Sequence, residues 1–148
     1  MRRYILILIS AIVCCVSASA FDKYTLDRND LPEKAQEFLT EHFPKSKVGM
    51  IKVDKHLLKK TDYDVKLVNG TKIEFSNAGK WTSVDCKNSA VPEKIIPKAI
   101  RNYVNKTFRD VKIVKIKNTA SKYEVGLSDG VEIYFNLLGQ FKGVKMDD

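Results

Sequence analysis

Polar and apolar residues along the chain switch between two periods. Leu31, Ala35, Phe38, Leu39 and Phe43 recur at helical spacing, as do Ile96, Ile100, Tyr103, Val104 and Phe108. Each set places one apolar stripe on a helix. Strict alternation follows each stripe, in Tyr63, Val65, Leu67 and in Tyr123, Val125, Leu127. That period predicts strands with one buried and one wet face. First strands are expected at Val48 to Val53 and Val111 to Ile116. Third strands follow at Thr71 to Ser76 and Val131 to Asn136, with Ile73, Phe75, Ile133 and Phe135 inward. Short closing strands begin at Trp81 and Phe141.

The turns between these segments carry their own chemistry. Asn69-Gly70 and Asp129-Gly130 read as two-residue type I′ hairpins, which need positive φ at both positions. Gly79 and Gly139 mark the next turns. Asp30 with Glu33 reads as a capping box around Pro32. Pro92 and Pro97 bracket residues 93–96, predicting a short turn before the second main helix, because Pro97 interrupts a continuous one.

The two patterns superpose. At an offset of 65, Pro32, Phe43, Lys47, Ile51 and Lys52 fall on Pro97, Phe108, Lys112, Ile116 and Lys117. At an offset of 60, Tyr63, Val65, Leu67, Gly70, Ile73, Phe75, Gly79 and Val84 fall on Tyr123, Val125, Leu127, Gly130, Ile133, Phe135, Gly139 and Val144. This points to an internal repeat. The expected architecture is α+β, with two tandem units of one helix plus a four-stranded antiparallel sheet: residues 21–86, a linker at 87–90, and residues 91–148.

Residues 1–20 stand apart. Arg2-Arg3 precede an apolar run from Tyr4 to Val16, and small residues stand at Ala18 and Ala20. This is the layout of a secretory signal, with cleavage expected after Ala20. The run is shorter than the ~20 residues of a spanning helix, so no stable membrane anchor is expected after cleavage. Val13 before Cys14 argues against lipid attachment there.

Export changes the charge and the thiol count. The whole chain carries a formal +8. Losing Arg2 and Arg3 leaves 24 basic against 18 acidic residues, a formal +6. That surplus favours anionic partners. The lysines are scattered and no nucleic-acid motif is present, so nucleic acid is not an expected partner. Cys86 remains alone, so no internal disulfide can form. It has neither an adjacent base nor a cationic setting, which makes it a buried or idle thiol, with intermolecular pairing as the alternative.

At this point the residues resemble the PepSY-like family, whose fold is similar to beta-lactamase-inhibitor proteins. The resemblance spans nearly all of 31–145. It rests on the Leu31-Pro32 helix opening, the tyrosine-led strand, the Asn69-Gly70 hairpin, Ile73-Glu74-Phe75 running into Gly79-Lys80-Trp81, and Val84-Asp85-Cys86. It implies tandem repeats of antiparallel sheet backed by helices, and a bacterial periplasmic location. It implies no activity, since fold does not carry function.

No catalytic residues are assigned. The chain has no Gly-x-Ser-x-Gly, no His-Glu-x-x-His and no glycine-rich phosphate loop, and no cofactor is expected. No metal ligands are assigned either, because Asp62 with Asp64, or Asp27 with Asp30, fall short of the six or more oxygens calcium takes. Binding has two candidate locations. One is the outward sheet face: Lys66, Val68, Lys72, Glu74, Thr82 and Val84 in the first unit, and Glu132, Tyr134, Asn136, Lys142 and Val144 in the second. The other is the loop from Asp54 to Asp62, five residues longer than its counterpart, where His56, Leu57 and Leu58 precede Lys59 and Lys60. The expected partner-binding residues are therefore His56, Leu57, Leu58, Lys59, Lys60, Lys66, Lys72 and Tyr134. The sequence reads as a non-enzymatic periplasmic binding module, an inhibitor or regulator of an envelope protein. The alternative is a sensor of calcium or an anionic polymer.

Overall fold

Alternating Val, Ile, Tyr and Phe between glycine turns build antiparallel strands, and here those strands join in a single sheet. The computed structural model describes residues 22–55 and 61–145. The strands are β1 (Lys23–Thr25), β2 (Val48–Asp54), β3 (Asp62–Leu67), β4 (Lys72–Phe75), β5 (Trp81–Asp85), β6 (Ile113–Asn118), β7 (Lys122–Leu127), β8 (Glu132–Asn136) and β9 (Phe141–Lys145). Helix α1 (Glu33–His42) lies between β1 and β2, and α2 (Lys98–Thr107) between β5 and β6. The α+β class stands. The two separate four-stranded sheets do not: the strands form one nine-stranded sheet in the order β1 to β9, every neighbour antiparallel. β5 pairs with β6 through Ser83↔Lys117, Val84↔Ile116 and Asp85↔Lys115, and so fuses the two sets. The segment after β5 also stays close to β6: the Val91 N–H donates to the Ile113 carbonyl at 2.8 Å.

Opposed residues on neighbouring strands share a face, so the register shows where the core lies. Ile51, Val65, Ile73, Val84, Ile116, Val125 and Ile133 form one row across seven strands. All seven are buried, each contributing about 1.5–3 kcal/mol of transfer free energy. Both helices cover this face. Phe38 of α1 meets Phe75 edge-on at 5.5 Å, and Tyr103 of α2 meets Phe135 likewise at 5.5 Å. Tyr103 also stacks on Phe141 at 4.9 Å.

Three local expectations are corrected. Val84 and Val144 lie on the helix side of the sheet, not on its outward face, and of the two only Val84 is buried. The register shifts between Glu74 and Phe75, and again between Tyr134 and Phe135. Each irregularity adds one residue to the closing strand and flips the alternation beyond it. The hairpins are not type I′. Only Gly70 and Gly130 have positive φ there, at 91° and 92°, while Asn69 and Asp129 do not. The Gly70 N–H donates to the Leu67 carbonyl, and the Leu67 N–H to that of Thr71. This is a three-residue loop with a type I turn and a glycine bulge. Asn69 Oδ1 supports it by accepting from the Thr71 N–H.

The capping box is also absent. Helix α1 starts after Pro32, whose carbonyl accepts from the Ala35 and Gln36 N–H groups, with no side-chain cap. Asp30 closes a short 3-10 turn over Arg28–Asp30 and binds Lys23 Nζ at 2.8 Å. The short turn before Pro97 is present at Glu93–Ile95.

Candidate functional site

With both helices on one face, the other face is a floor of alternating side chains. One row reads Tyr24, Lys52, Asp64, Glu74 and Ser83 across β1 to β5, then Lys117, Glu124 and Tyr134 across β6 to β8. The adjacent row runs Met50, Lys66, Lys72, Asp85 and Lys115. Lys66 and Lys72 are therefore brought directly opposite each other. Like charges in that position repel, so an anionic group placed between them gains. With Met50, Lys52, Asp64 and Glu74 they rim a shallow hollow of about 230 Å³.

The hollow's end near β1 is an ion-pair hub. Lys52 Nζ lies 3.1 Å from Asp22 and 3.2 Å from Asp54. Hydrogen bonds to these two carboxylates push the Lys52 ammonium well above its ordinary pKa. Asp64 moves the other way. Partial desolvation raises its carboxyl, Lys52 opposes the rise, and the negative charges of Asp54, Asp62 and Asp22 add to it. Across β1, Lys23 and Thr25 hold Asp30 below the usual carboxylate range. Among the described residues no group of three or more His, Cys, Asp or Glu is placed to hold a metal ion. An ammonium sits among the acids instead.

Tyr134 shares the face but not the hollow. It stands four strands from Lys72, about 19 Å at the usual strand spacing. Lys122 Nζ lies 4.2 Å from its ring centroid and 3.0 Å from Glu124. Tyr134 is thus half-covered by its own cation–π partner. His56, Leu57, Leu58, Lys59 and Lys60 lie outside the described residues, as do Ala18 and Ala20.

Other features were not anticipated from the sequence. β1 places Tyr24 on the uncovered face, 60% exposed, but three residues are too few for alternation to reveal a strand. A second hollow of about 230 Å³ opens beside α2. Its Arg101 reaches Glu93 at 3.5 Å through Nη1, while its buried Nε has no hydrogen-bond partner. Cys86, read from the sequence as a buried or idle thiol, is buried, and desolvation pushes its thiol up against a lowering hydrogen bond with Thr71. Among the described residues, no helix is long and apolar enough to cross a membrane.

Residues 61–143 match the family described as beta-lactamase-inhibitor-like, PepSY-like. Three solved structures are similar. One is provisionally described as a periplasmic protein of unknown function from Bacteroides vulgatus, 40% identical over 85% of this chain and 100% of its own, with a TM-score of 0.81. A second from the same species, provisionally described as periplasmic and placed in the DUF2874 family, is 40% identical over 86% and 99%, TM-score 0.80. The third is provisionally described as a calcium-regulated periplasmic protein from Bacteroides thetaiotaomicron, 38% identical over 84% and 97%, TM-score 0.80. No curated protein matches the chain.

Proposed function

Because the chain belongs to the beta-lactamase-inhibitor-like, PepSY-like family, we propose that it is a non-enzymatic periplasmic binding protein that docks an envelope protein on the uncovered face of its sheet. Inhibition or regulation of that protein is the role this reading assigns. One observation carries it: among the described residues, no helix covers the second face of the nine-stranded sheet, where Lys66 and Lys72 are opposed over the hollow beside Met50. Arg2-Arg3, the apolar run and Ala18 and Ala20 support export, as do the relatives described as periplasmic.

The test is capture of a partner from envelope extract, at low and high salt, with the wild type beside a Lys66→Glu, Lys72→Glu variant. A protein retained by the wild type and lost from a variant that melts normally supports the reading. Equal retention by both removes this face from consideration.

A second reading, calcium sensing, draws on the relative described as calcium-regulated and on Asp22, Asp54 and Asp64 gathered around Lys52. Calcium, at six or more oxygens, has to displace the Lys52 ammonium. Melting with calcium against magnesium separates the readings. A calcium-specific rise that Asp54→Asn abolishes supports sensing, and identical melts in both ions exclude it.

A further inference from the structure

The two edges of the sheet are finished differently. At the leading edge, β1 lies on β2 in the position β5 takes on β6: Thr25 faces Ile51 and Tyr24 faces Lys52, as Val84 faces Ile116 and Ser83 faces Lys117. At the trailing edge β9 corresponds to β5, with Phe141 for Trp81 and Val144 for Val84. Among the described residues, β9 pairs only with β8. Val84 is 0% exposed and Val144 44%. The apolar row that crosses the sheet thus ends in an uncovered valine.

We propose that β9 is the docking edge for a second copy of this chain, pairing antiparallel about a two-fold axis at Val144 and continuing the sheet across both molecules. The β5–β6 junction supplies the geometry. There the Cys86 N–H donates to the Val114 carbonyl at 2.9 Å, so Val84, two residues earlier, directs its backbone groups to the same side. By correspondence Val144 directs its own away from β8. A two-fold axis at Val144 sets the two valines opposite each other on the helix side and puts Lys145 of each copy opposite Gly143 of the other. Gly143 is suited to that neighbour, because a side-chain carbon built there meets nothing within 4 Å. Lys145 keeps its own Glu132, 3.3 Å away, so pairing leaves no new unbalanced charge at the axis. The outward N–H and C=O groups of an edge strand are the feature that pairing between copies uses.

The experiment uses protein purified from the periplasm after expression of the full chain. Sedimentation equilibrium over a wide concentration range is expected to show mass rising toward twice that of one chain. Val144→Pro removes an N–H that the β8 ladder does not use, so dimer is lost while melting is retained. If that variant unfolds, a cross-link decides the matter. In a Cys86→Ser background, Val144→Cys places two thiols across a pair whose Cα atoms stand ~5.5 Å apart, inside disulfide range. It is expected to give oxidised homodimer faster than the exposed turn control Ala78→Cys. A monomer at all concentrations, a dimer unaffected by a folded Val144→Pro, or equal cross-linking at positions 144 and 78 overturns the proposal.

Discussion

Replacing Gly79 by alanine tests how closely helix α1 is seated on the turn between β4 and β5. Gly79 has φ +75°, and a Cβ there would lie 2.9 Å from Pro32 Cβ, 3.1 Å from the Ala35 backbone nitrogen and 3.2 Å from Lys34 Cβ. Two penalties add. The left-handed conformation costs a non-glycine residue ~1–2 kcal/mol. Forcing a methyl into helix backbone costs a further ~1–3 kcal/mol, the range for overpacking. The matched control is Gly130→Ala, at φ +92° with nothing within 4 Å of the added carbon. It incurs only the first penalty. Alanine's smaller unfolded-state entropy offsets both variants alike and cancels in the comparison. Urea unfolding at constant m should place Gly79→Ala below Gly130→Ala by about 1–3 kcal/mol. Equal midpoints would show that the helix is not held against this turn, and the account of how the covered face is organised would fail.

Val84→Ala should cost about 1.5–3 kcal/mol, because the side chain is wholly buried, while Val144→Ala should cost less than half as much in the same urea titration. Asp64 titrates above its unfolded value. Its contribution is therefore fully present below the ordinary carboxylate pKa and lost as pH rises through the folded one. Asp64→Asn should raise the melting temperature at neutral pH and flatten its decline through weak acid. Asp30 is shifted down by Lys23 and Thr25, so its contribution holds above the unfolded value and vanishes as pH falls through the folded one. Asp30→Asn should destabilise at neutral pH and converge with wild type in acid. Cys86 is buried with its thiol raised, so alkylation by iodoacetamide followed by mass spectrometry should be negligible in buffer and complete in urea.

Alternation and helical spacing made the helices, eight of the nine strands and the inward residues of the second and third strands legible, because each signal is repeated over several residues. What escaped depends on single residues or on pairing between distant segments. The bulges opposite Phe75 and Phe135 insert one residue, enough to invert the predicted direction of Val84 and Val144. Nothing in the pattern of β5 indicates that Asp85 will face Lys115, so the fusion into one sheet was invisible. Lys66 and Lys72 were legible as outward residues but not as an opposed pair, because the expected two-residue turn pairs position 66 with 73 and only the three-residue loop sets Lys66 against Lys72. Tyr134 was legible as an outward aromatic, but not the Lys122 that covers it, because that contact depends on a cross-strand diagonal.

The strand order has a kinetic corollary. Every strand in β1 to β9 lies beside its neighbours in sequence, so no segment has to wait for a remote one before it can pair. Low average sequence separation between contacts favours rapid folding. A chain that emerges from its amino end during synthesis can then add strands in the order they arrive, each docking on the one before. Hydrogen exchange should grade outward from the β5–β6 junction toward both edges, as in linear arrays whose units are held by nearest neighbours.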